Sequence, residues 1–163
     1  MTQPTPKSNR TLLIVVIALL LLILCGGAVP TLGILAAIAI PNFVVMQYRA
    51  KRAEVPANVD GIKNALMAYD AAFDMYLEIP NAVPVDPLML GKTPHDWSYD
   101  TPFVDLGWEP NGPVRGTYWV ELSADGMGFT VHGVCDVDGD GDPAHYTATE
   151  SSNATLLTSM TAY

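Results

Sequence analysis

The stretch GILAAIAIPNF occupies residues 33–43 and lies inside a segment, residues 11–48, that contains no charged side chain. Gly33 and Ala37 are four residues apart and therefore share one face of a helix. A face of small side chains lets helices approach closely in a membrane, where van der Waals contact replaces the hydrophobic driving force. The stretch predicts a membrane helix that packs against other helices through Gly33, Ala37 and, at its end, Pro41.

The uncharged segment is longer than one membrane crossing needs. As a helix, residues 11–48 would extend about 57 Å, whereas the hydrocarbon core of a bilayer is about 30 Å thick. A glycine pair followed by a proline, at residues 26–30, marks the place where such a helix would be weakest. The composition therefore predicts two apolar parts, 11–25 and 31–47.

Three arrangements of this segment are open. A single tilted or kinked span could enter from the cytoplasm, with its second half protruding into a bundle of neighbouring subunits. A cleavable signal peptide would use Lys7 and Arg10 as its basic start and the small residues 26 and 28 as its cleavage site. A hairpin of two short helices would have basic residues at both ends. We take the single span as the working interpretation, because basic flanks orient a segment without counting its crossings.

An amphipathic segment follows the basic cluster that ends at Arg52. Its apolar residues recur at alternating steps of four and three: Val55, Val59, Ile62, Leu66, Tyr69, Phe73 and Tyr76. This spacing makes one side of a helix continuously apolar, so it predicts a helix within 48–78 that packs on the protein's own sheet. Pro56 predicts a kink or a local helix start.

Prolines are dense from residue 79 to 113, and no hydrophobic period survives there. This composition predicts a connecting loop region, held in place by Trp97, Phe103 and Trp108.

Alternating apolar and polar residues predict three strands beyond that loop, at 117–123, 129–135 and 145–149. A turn signal at 124–126 joins the first two strands, so an antiparallel meander is the simplest topology. The tail from 151 to 163 predicts either a last edge strand or a loose end.

The order of these features resembles the type IV pilins and their type II secretion pseudopilin relatives. The likeness is close over about 33–78, where GILAAIAIPNF is the most specific string. It is looser at 106–110, 115–120 and 129–141. The resemblance implies an α+β fold, in which a long N-terminal transmembrane helix packs by its C-terminal half on a small antiparallel β-sheet.

The implied organisation is a cytoplasmic tail at 1–10, a transmembrane and helix-packing segment at 11–47, an amphipathic helix at 48–78 and an antiparallel β head domain at 79–163. The implied function is structural and not enzymatic. Such a minor pilin or pseudopilin is anchored in the bacterial inner membrane with its head extracytoplasmic. It packs with other pilin-like subunits, through the pilus or type II secretion assembly machinery, into a pilus or pseudopilus, including a cell-surface filament. The alternative is a non-polymerising membrane-anchored protein with a calcium-stabilised extracytoplasmic binding head.

Two positions depart from the family pattern. Members carry a glutamate nine residues before the glycine that Gly33 matches, and a leader-cleavage glycine five residues before that glutamate. Here those positions are Leu24 and Leu19. The departure implies either a subunit that is not processed or a cut out of register, near Gly27.

An acidic loop follows the second predicted strand, with carboxylates at every second residue: Asp136, Asp138, Asp140 and Asp142. Gly141 occupies the sixth place, where a calcium loop needs a sharp turn. These features predict a calcium site. The twelfth place, which would supply a bidentate acid, is Thr147, and Glu150 comes three residues later. An acidic, solvated turn is the open alternative.

The remaining composition excludes several function classes. The chain carries a net charge of −9, and after Lys63 only Lys92 and Arg115 oppose its many acids. A nucleic acid or an anionic lipid is therefore a poor partner for the head. The sequence contains no zinc-protease, phosphate-loop or nucleophile-elbow motif, so no catalytic residue and no other cofactor is predicted. The histidines are interpreted as structural, with the last one on a surface strand near the acidic loop: His95, His132 and His145.

Overall fold

The computed structural model describes residues 9–163, apart from the side chains of residues 25 and 27–29. The chain divides into two compact units, one ending at Val45 and one from Met46 to Tyr163. It combines a long N-terminal apolar helix with a five-stranded antiparallel sheet, so the predicted α+β class is confirmed. Of the predicted N-terminal tail, the first eight residues lie outside the described part of the chain.

Helix α1 runs from Arg10 to Arg52 and contains both Pro30 and Pro41. The interruption expected in the middle of the apolar segment is therefore absent, and the hairpin alternative is contradicted. A proline removes one backbone hydrogen bond from a helix, which a long run of helix-compatible residues on both sides can tolerate. At about 1.5 Å per residue, a helix of 43 residues extends about 65 Å.

Helix α2 runs from Glu54 to Phe73, and Ala53 separates it from α1. The separation has a local cause, because Pro56 lacks the N–H group that would bond to the carbonyl of Arg52. Pro56 instead lies in the first turn of α2, where no such bond is required, so it marks the local start that its position predicted. The helix ends before Asp74, which adopts the left-handed conformation with φ 56°. Of the predicted amphipathic helix at 48–78, residues 48–52 belong to the end of α1 and residues 54–73 form α2. Residues 74–78 lie beyond the end of the helix.

Five strands form one sheet in the second unit, and each strand pairs antiparallel with the next along the chain. This order confirms the predicted meander, and of the two alternatives for the tail it shows an edge strand. The strands are β1 (Ile79–Val83), β2 (Gly116–Leu122), β3 (Phe129–Cys135), β4 (Ala144–Thr149) and β5 (Ser152–Leu156).

Strand β1 lies in the region predicted as a loop. Ile79 pairs with Val120 and Val83 pairs with Tyr118, with an irregular register between them. Pro80 cannot donate to a ladder, but an edge strand has one side without a neighbouring strand and therefore tolerates proline. The sequence pattern did not predict this strand, because Pro80 is typical of a loop.

The core of the second unit forms between α2 and one face of the sheet. Val55, Val59, Ile62 and Leu66 are fully buried, which confirms the first part of the predicted apolar stripe. The rest of the stripe is not buried, since Tyr69 and Tyr76 are half-buried and Phe73 is 62% exposed. The sheet supplies a second set of buried side chains: Tyr118, Val120, Val131, Tyr146 and Ala148. Burial of the valine, leucine and isoleucine side chains among these stabilises the fold by roughly 1.5–3 kcal/mol each.

The long loop between β1 and β2 includes two short 3-10 helices, Pro87–Met89 and Pro102–Val104. Three aromatic rings of this loop contact one another, and each pair of ring centroids is 5.5 Å apart: Trp97, Phe103 and Trp108. Trp97 and Trp108 also contact Tyr118 of β2, at 6.3 and 6.0 Å. These aromatic contacts attach the loop to the sheet, as the sequence predicted.

Candidate functional site

The first unit presents apolar side chains that no other part of that unit covers. Large apolar residues along α1 are exposed, from 47% at Val16 to 74% at Leu22, and the last of them in this unit is Phe43 at 61%. An apolar surface of this extent on one protein marks a site of contact with a membrane or with other protein. The helix therefore has the surface expected for contact with a membrane and with other protein.

The three predicted packing residues, Gly33, Ala37 and Pro41, all lie on α1 and are all exposed. A Cβ atom added at Gly33 would meet no atom within 4 Å outside the local helix. The side chain of Asn42 donates a hydrogen bond of 2.9 Å to the carbonyl of Ile38. The small face of the helix is thus available for contact with another molecule.

Within the described residues, one helical stretch is long and apolar enough to cross a membrane. It runs from Pro30 to Phe73, so it includes the second part of α1 and, beyond Ala53, all of α2. None of the side chains in its most apolar part is buried. Arg10–Leu24, the first part of α1, is a shorter apolar stretch of helix. Length and composition alone support these assignments.

The acidic loop connects β3 to β4. Oxygen atoms of Asp136, Asp138 and Asp140 lie within 4.8 Å of one another. Asp136 is buried, and its two carboxylate oxygens accept hydrogen bonds from the backbone N–H groups of Gly139, at 2.6 Å, and Gly141, at 3.1 Å. Both glycines have positive φ, 66° and 85°, which curls the loop around the Asp136 carboxylate.

Asp138 is the least satisfied member of this group. Its Oδ1 atom is buried and has no hydrogen-bond partner. Burial, reinforced by the charge of Asp140 and by Asp136, raises the pKa of the Asp138 carboxyl. A cation would relieve both the desolvation and the repulsion, because it supplies a partner for the buried oxygen. The three carboxylates are hard oxygen donors, the type that Ca²⁺ prefers.

The fourth predicted ligand, Asp142, is not part of the group of three carboxylates. Its backbone N–H donates a hydrogen bond of 2.8 Å to Oδ1 of Asp140. Thr147 lies within β4, so the twelfth place of the loop motif belongs to the sheet. The aliphatic side chain of Lys92 lies beside Gly139, where an added Cβ would be 2.9 Å from its Cε. Lys92 thus approaches the loop from the long connection between β1 and β2.

The chain is similar to a type IV pilin. Over 55 residues it is 38% identical to the type IV major pilin protein PilA of Myxococcus xanthus (strain DK1622). The match covers 34% of this chain and 25% of that pilin. No family model matches the chain, and no solved structure matches it.

A polar cluster on the sheet was not predicted from the sequence. His132 of β3 and His145 of β4 were interpreted as separate structural residues, yet their imidazole nitrogens lie 3.0 Å apart. Trp119 and Glu121 of β2 lie beside them. The signal available in the sequence was the strand alternation, because these four residues all occupy the polar positions of neighbouring strands in a meander.

Proposed function

We propose that this protein is a pilin-like structural subunit, a minor pilin or a pseudopilin-like protein. Helix α1 anchors it in the bacterial inner membrane, with the N-terminus cytoplasmic and the head extracytoplasmic. It then packs against the helices of other subunits in a type IV pilus or a type II secretion pseudopilus. The observation that carries the proposal is the exposed, uncharged surface of α1 at residues 12–24 and 30–43.

The similarity to the Myxococcus xanthus pilin supports the same proposal, since that protein is a major pilin by name. A subunit of this kind needs a helix that is stable in two surroundings, first lipid and then a bundle of identical helices. An apolar helix with a small-residue face meets both needs, because its side chains suit lipid and its backbone permits close helix packing. Repeated contacts that do not close into a ring then produce an open helical filament.

A substitution at Gly33 tests the packing role without disturbing the subunit itself. A Cβ atom at this position meets no atom within 4 Å outside the local helix, and leucine favours both helix and membrane. We expect Gly33→Leu to remain in the membrane at normal amounts and to be lost from filaments sheared off the cell surface. The matched control is Leu35→Phe, which also adds volume to an exposed position, about 200° around the helix at 100° per residue. This control should still be recovered in the sheared fraction.

The opposite result would contradict the filament proposal. If the wild-type chain is never recovered in sheared or secreted filaments, or if both variants assemble as well as the wild type, α1 acts as an anchor only. The intact mass of the chain from native membranes adds an independent measurement. A mass that lacks the residues before about Ala28 would support a released and assembled subunit, whereas the uncut mass supports a permanent anchor.

We further propose that the acidic loop binds one calcium ion through Asp136, Asp138 and Asp140 and thereby stiffens the head. The buried, unpartnered Oδ1 of Asp138 supports this proposal. The same loop supports the alternative function, a calcium-stabilised binding head on an anchor that does not polymerise. Calcium binding does not separate the two functions. Recovery of the chain in sheared filaments does, because only the pilin-like subunit polymerises.

Thermal unfolding of the purified chain in detergent tests the calcium site. At a calcium concentration one hundred times the dissociation constant, binding should stabilise the folded state by about 2.7 kcal/mol. Asp138→Asn should lose most of this gain. Asp125→Asn is the control, because Asp125 lies on the exposed turn between β2 and β3. If calcium does not stabilise the wild type, or stabilises the two variants equally, the loop is an acidic solvated turn and not a calcium site.

A further inference from the structure

The outer face of the sheet carries two histidines in direct contact. His132 of β3 pairs with Thr147 of β4, and His145 stands two residues before Thr147, so both histidines occupy one face on a diagonal. Nδ1 of His132 and Nε2 of His145 are 3.0 Å apart. The side chain of His132 is only 14% exposed, although it lies on the face opposite α2.

Two residues of β2 hold the His132 ring in place. Trp119, which pairs directly with His132 in the sheet, stacks on the imidazole with ring centroids 4.6 Å apart and planes 4° from parallel. Glu121 places its Oε2 atom 3.6 Å from Nε2 of His132, while its Oε1 accepts a hydrogen bond of 3.0 Å from the indole of Trp119. Stacking thus fixes one face of the ring, and its buried Nε2, which has no hydrogen-bond partner, faces the carboxylate at 3.6 Å.

This arrangement selects the protonation of His132. A carboxylate beside Nε2 favours the tautomer with hydrogen on Nε2, which leaves a lone pair on Nδ1 facing His145. In the absence of a ligand, Nε2–H of His145 donates to that lone pair. Burial lowers the pKa of His132 and of His145, although the charge of Glu121 opposes the shift, and this favours the neutral form of the ring.

We propose that Nδ1 of His132 and Nε2 of His145 bind one divalent transition-metal ion of the class that imidazole prefers, such as Zn²⁺. Two imidazole ligands on a tetrahedral zinc ion, at about 2.0–2.1 Å each, have their nitrogens about 3.3 Å apart. The observed 3.0 Å separation would have to open by about 0.3 Å, and each ring would have to turn by about 35° so that both lone pairs point at the ion. At present the ring centroids are 5.3 Å apart, so the two nitrogens face each other almost directly. Binding requires that His145 move its proton from Nε2 to Nδ1, and the two remaining positions on the ion are left for water or another molecule.

Glu121 acts as a positioning residue in this proposal. A histidine ligand commonly donates its other ring N–H to a carboxylate, which fixes the ring and raises its basicity. A small rotation of the Glu121 side chain, which is 61% exposed, would close the 3.6 Å gap to Nε2 of His132. The site differs from the acidic loop in its chemistry, since the loop offers only oxygen ligands suited to a hard cation.

Calorimetric titration of the full chain in detergent micelles with Zn²⁺ alone as the probe tests the proposal. Excess Ca²⁺ is kept in the buffer so that the acidic loop does not compete. The wild type should bind one zinc ion per chain, and His132→Gln and His145→Gln should each reduce the affinity more than a hundredfold. Glu121→Gln should weaken binding about tenfold, the usual effect of removing an outer partner of a ligand. The control is His95→Gln, which should keep the wild-type affinity because His95 lies in the loop between β1 and β2.

The ring nitrogens provide a second readout that does not depend on affinity. In ¹⁵N NMR spectra, zinc should shift Nδ1 of His132 and Nε2 of His145 and leave the other nitrogen of each ring protonated. Unchanged near-ultraviolet circular dichroism in each variant shows that the fold is retained. The proposal is overturned if the wild type does not bind zinc, if only one of the two histidine variants loses affinity, or if His95→Gln loses it equally.

Discussion

Gly133 of strand β3 lies directly against Val59 of helix α2: a Cβ atom at residue 133 would be 2.4 Å from Cγ2 of Val59. The same atom would be 2.9 Å from Cγ1 of Val55. Both contacts are shorter than carbon atoms allow, so the absence of a side chain at Gly133 sets how closely the helix approaches the sheet. We expect Gly133→Ala to destabilise the head by about 1–3 kcal/mol, measured by denaturant unfolding.

The control for this change is Gly91→Ala. A Cβ atom at Gly91 meets nothing within 4 Å, so this substitution should alter the free energy of unfolding by no more than about 0.5 kcal/mol. Equal stability of the two variants would show that the helix adjusts its distance from the sheet at no cost.

Asp60 of α2 joins the helix to the edge strand β5. Its Oδ1 atom accepts a hydrogen bond of 2.7 Å from the N–H of Ala154. We expect Asp60→Ala to loosen β5, because the loss of a charged hydrogen bond costs about 1.5–3 kcal/mol. Hydrogen exchange at Ala154 should accelerate at least about tenfold. Asn64→Ala, at an exposed position of the same helix, should leave that rate unchanged, and an equal acceleration in both variants would contradict the specific role of Asp60.

Glu54 makes the stability of the head depend on pH. Burial raises the pKa of its carboxyl above the ordinary 4.5, although a hydrogen bond from the N–H of Arg115 and the charge of Arg115 oppose the shift. Because the folded state then holds the proton more tightly than the unfolded state, this group contributes stability below about pH 4.5, and that contribution is lost as the pH rises through the folded pKa. Glu54→Gln cannot ionise and keeps an acceptor for Arg115.

The free energy of unfolding, measured from pH 4 to pH 7, tests this effect. Relative to the wild type, Glu54→Gln should gain stability as the pH rises. Glu109→Gln, a change at an exposed position, is the control for the loss of one negative charge. A constant difference between Glu54→Gln and the wild type across this range would be evidence against a raised pKa at Glu54.

Cys135 should be unreactive in the folded protein. Its side chain is fully buried, and burial raises the pKa of the thiol to about 12. Since the thiolate is the reactive form, alkylation by iodoacetamide at pH 8 should be at least about a hundredfold slower in the folded chain than in the chain unfolded with guanidinium. Mass spectrometry of the peptide that contains Cys135 follows the reaction. Comparable rates in the two states would mean that the end of β3 opens frequently.

Much of the fold could be predicted from local patterns. The stripe from Val55 to Leu66 predicted the buried face of α2, and strand alternation predicted β2, β3 and β4 within one residue at each end. These elements carry their periodicity in the sequence because one side of each is buried. Strand β1 was not predicted, since Pro80 and the absence of alternation hide it, and its pairing with β2 is a contact between distant parts of the chain.

Of the two candidate sites, the acidic loop could be predicted from the sequence and the histidine pair could not. Three of the four loop aspartates, Asp136, Asp138 and Asp140, come together because their spacing and the two glycines already curl the chain locally. The pairing of His132 with His145 required the register of β3 against β4, which no spacing in the sequence specifies.

The sequence by itself determined the apolar helix, the amphipathic stripe and the acidic loop, since each depends on residues within a few positions of one another. Only the tertiary structure decided that α1 continues through Pro30 and that Gly133 accommodates Val59. It also decided that the two histidines share a face. The physical reason is that helix continuity, interlayer distance and strand register are set by packing among distant residues, which local periodicity does not record.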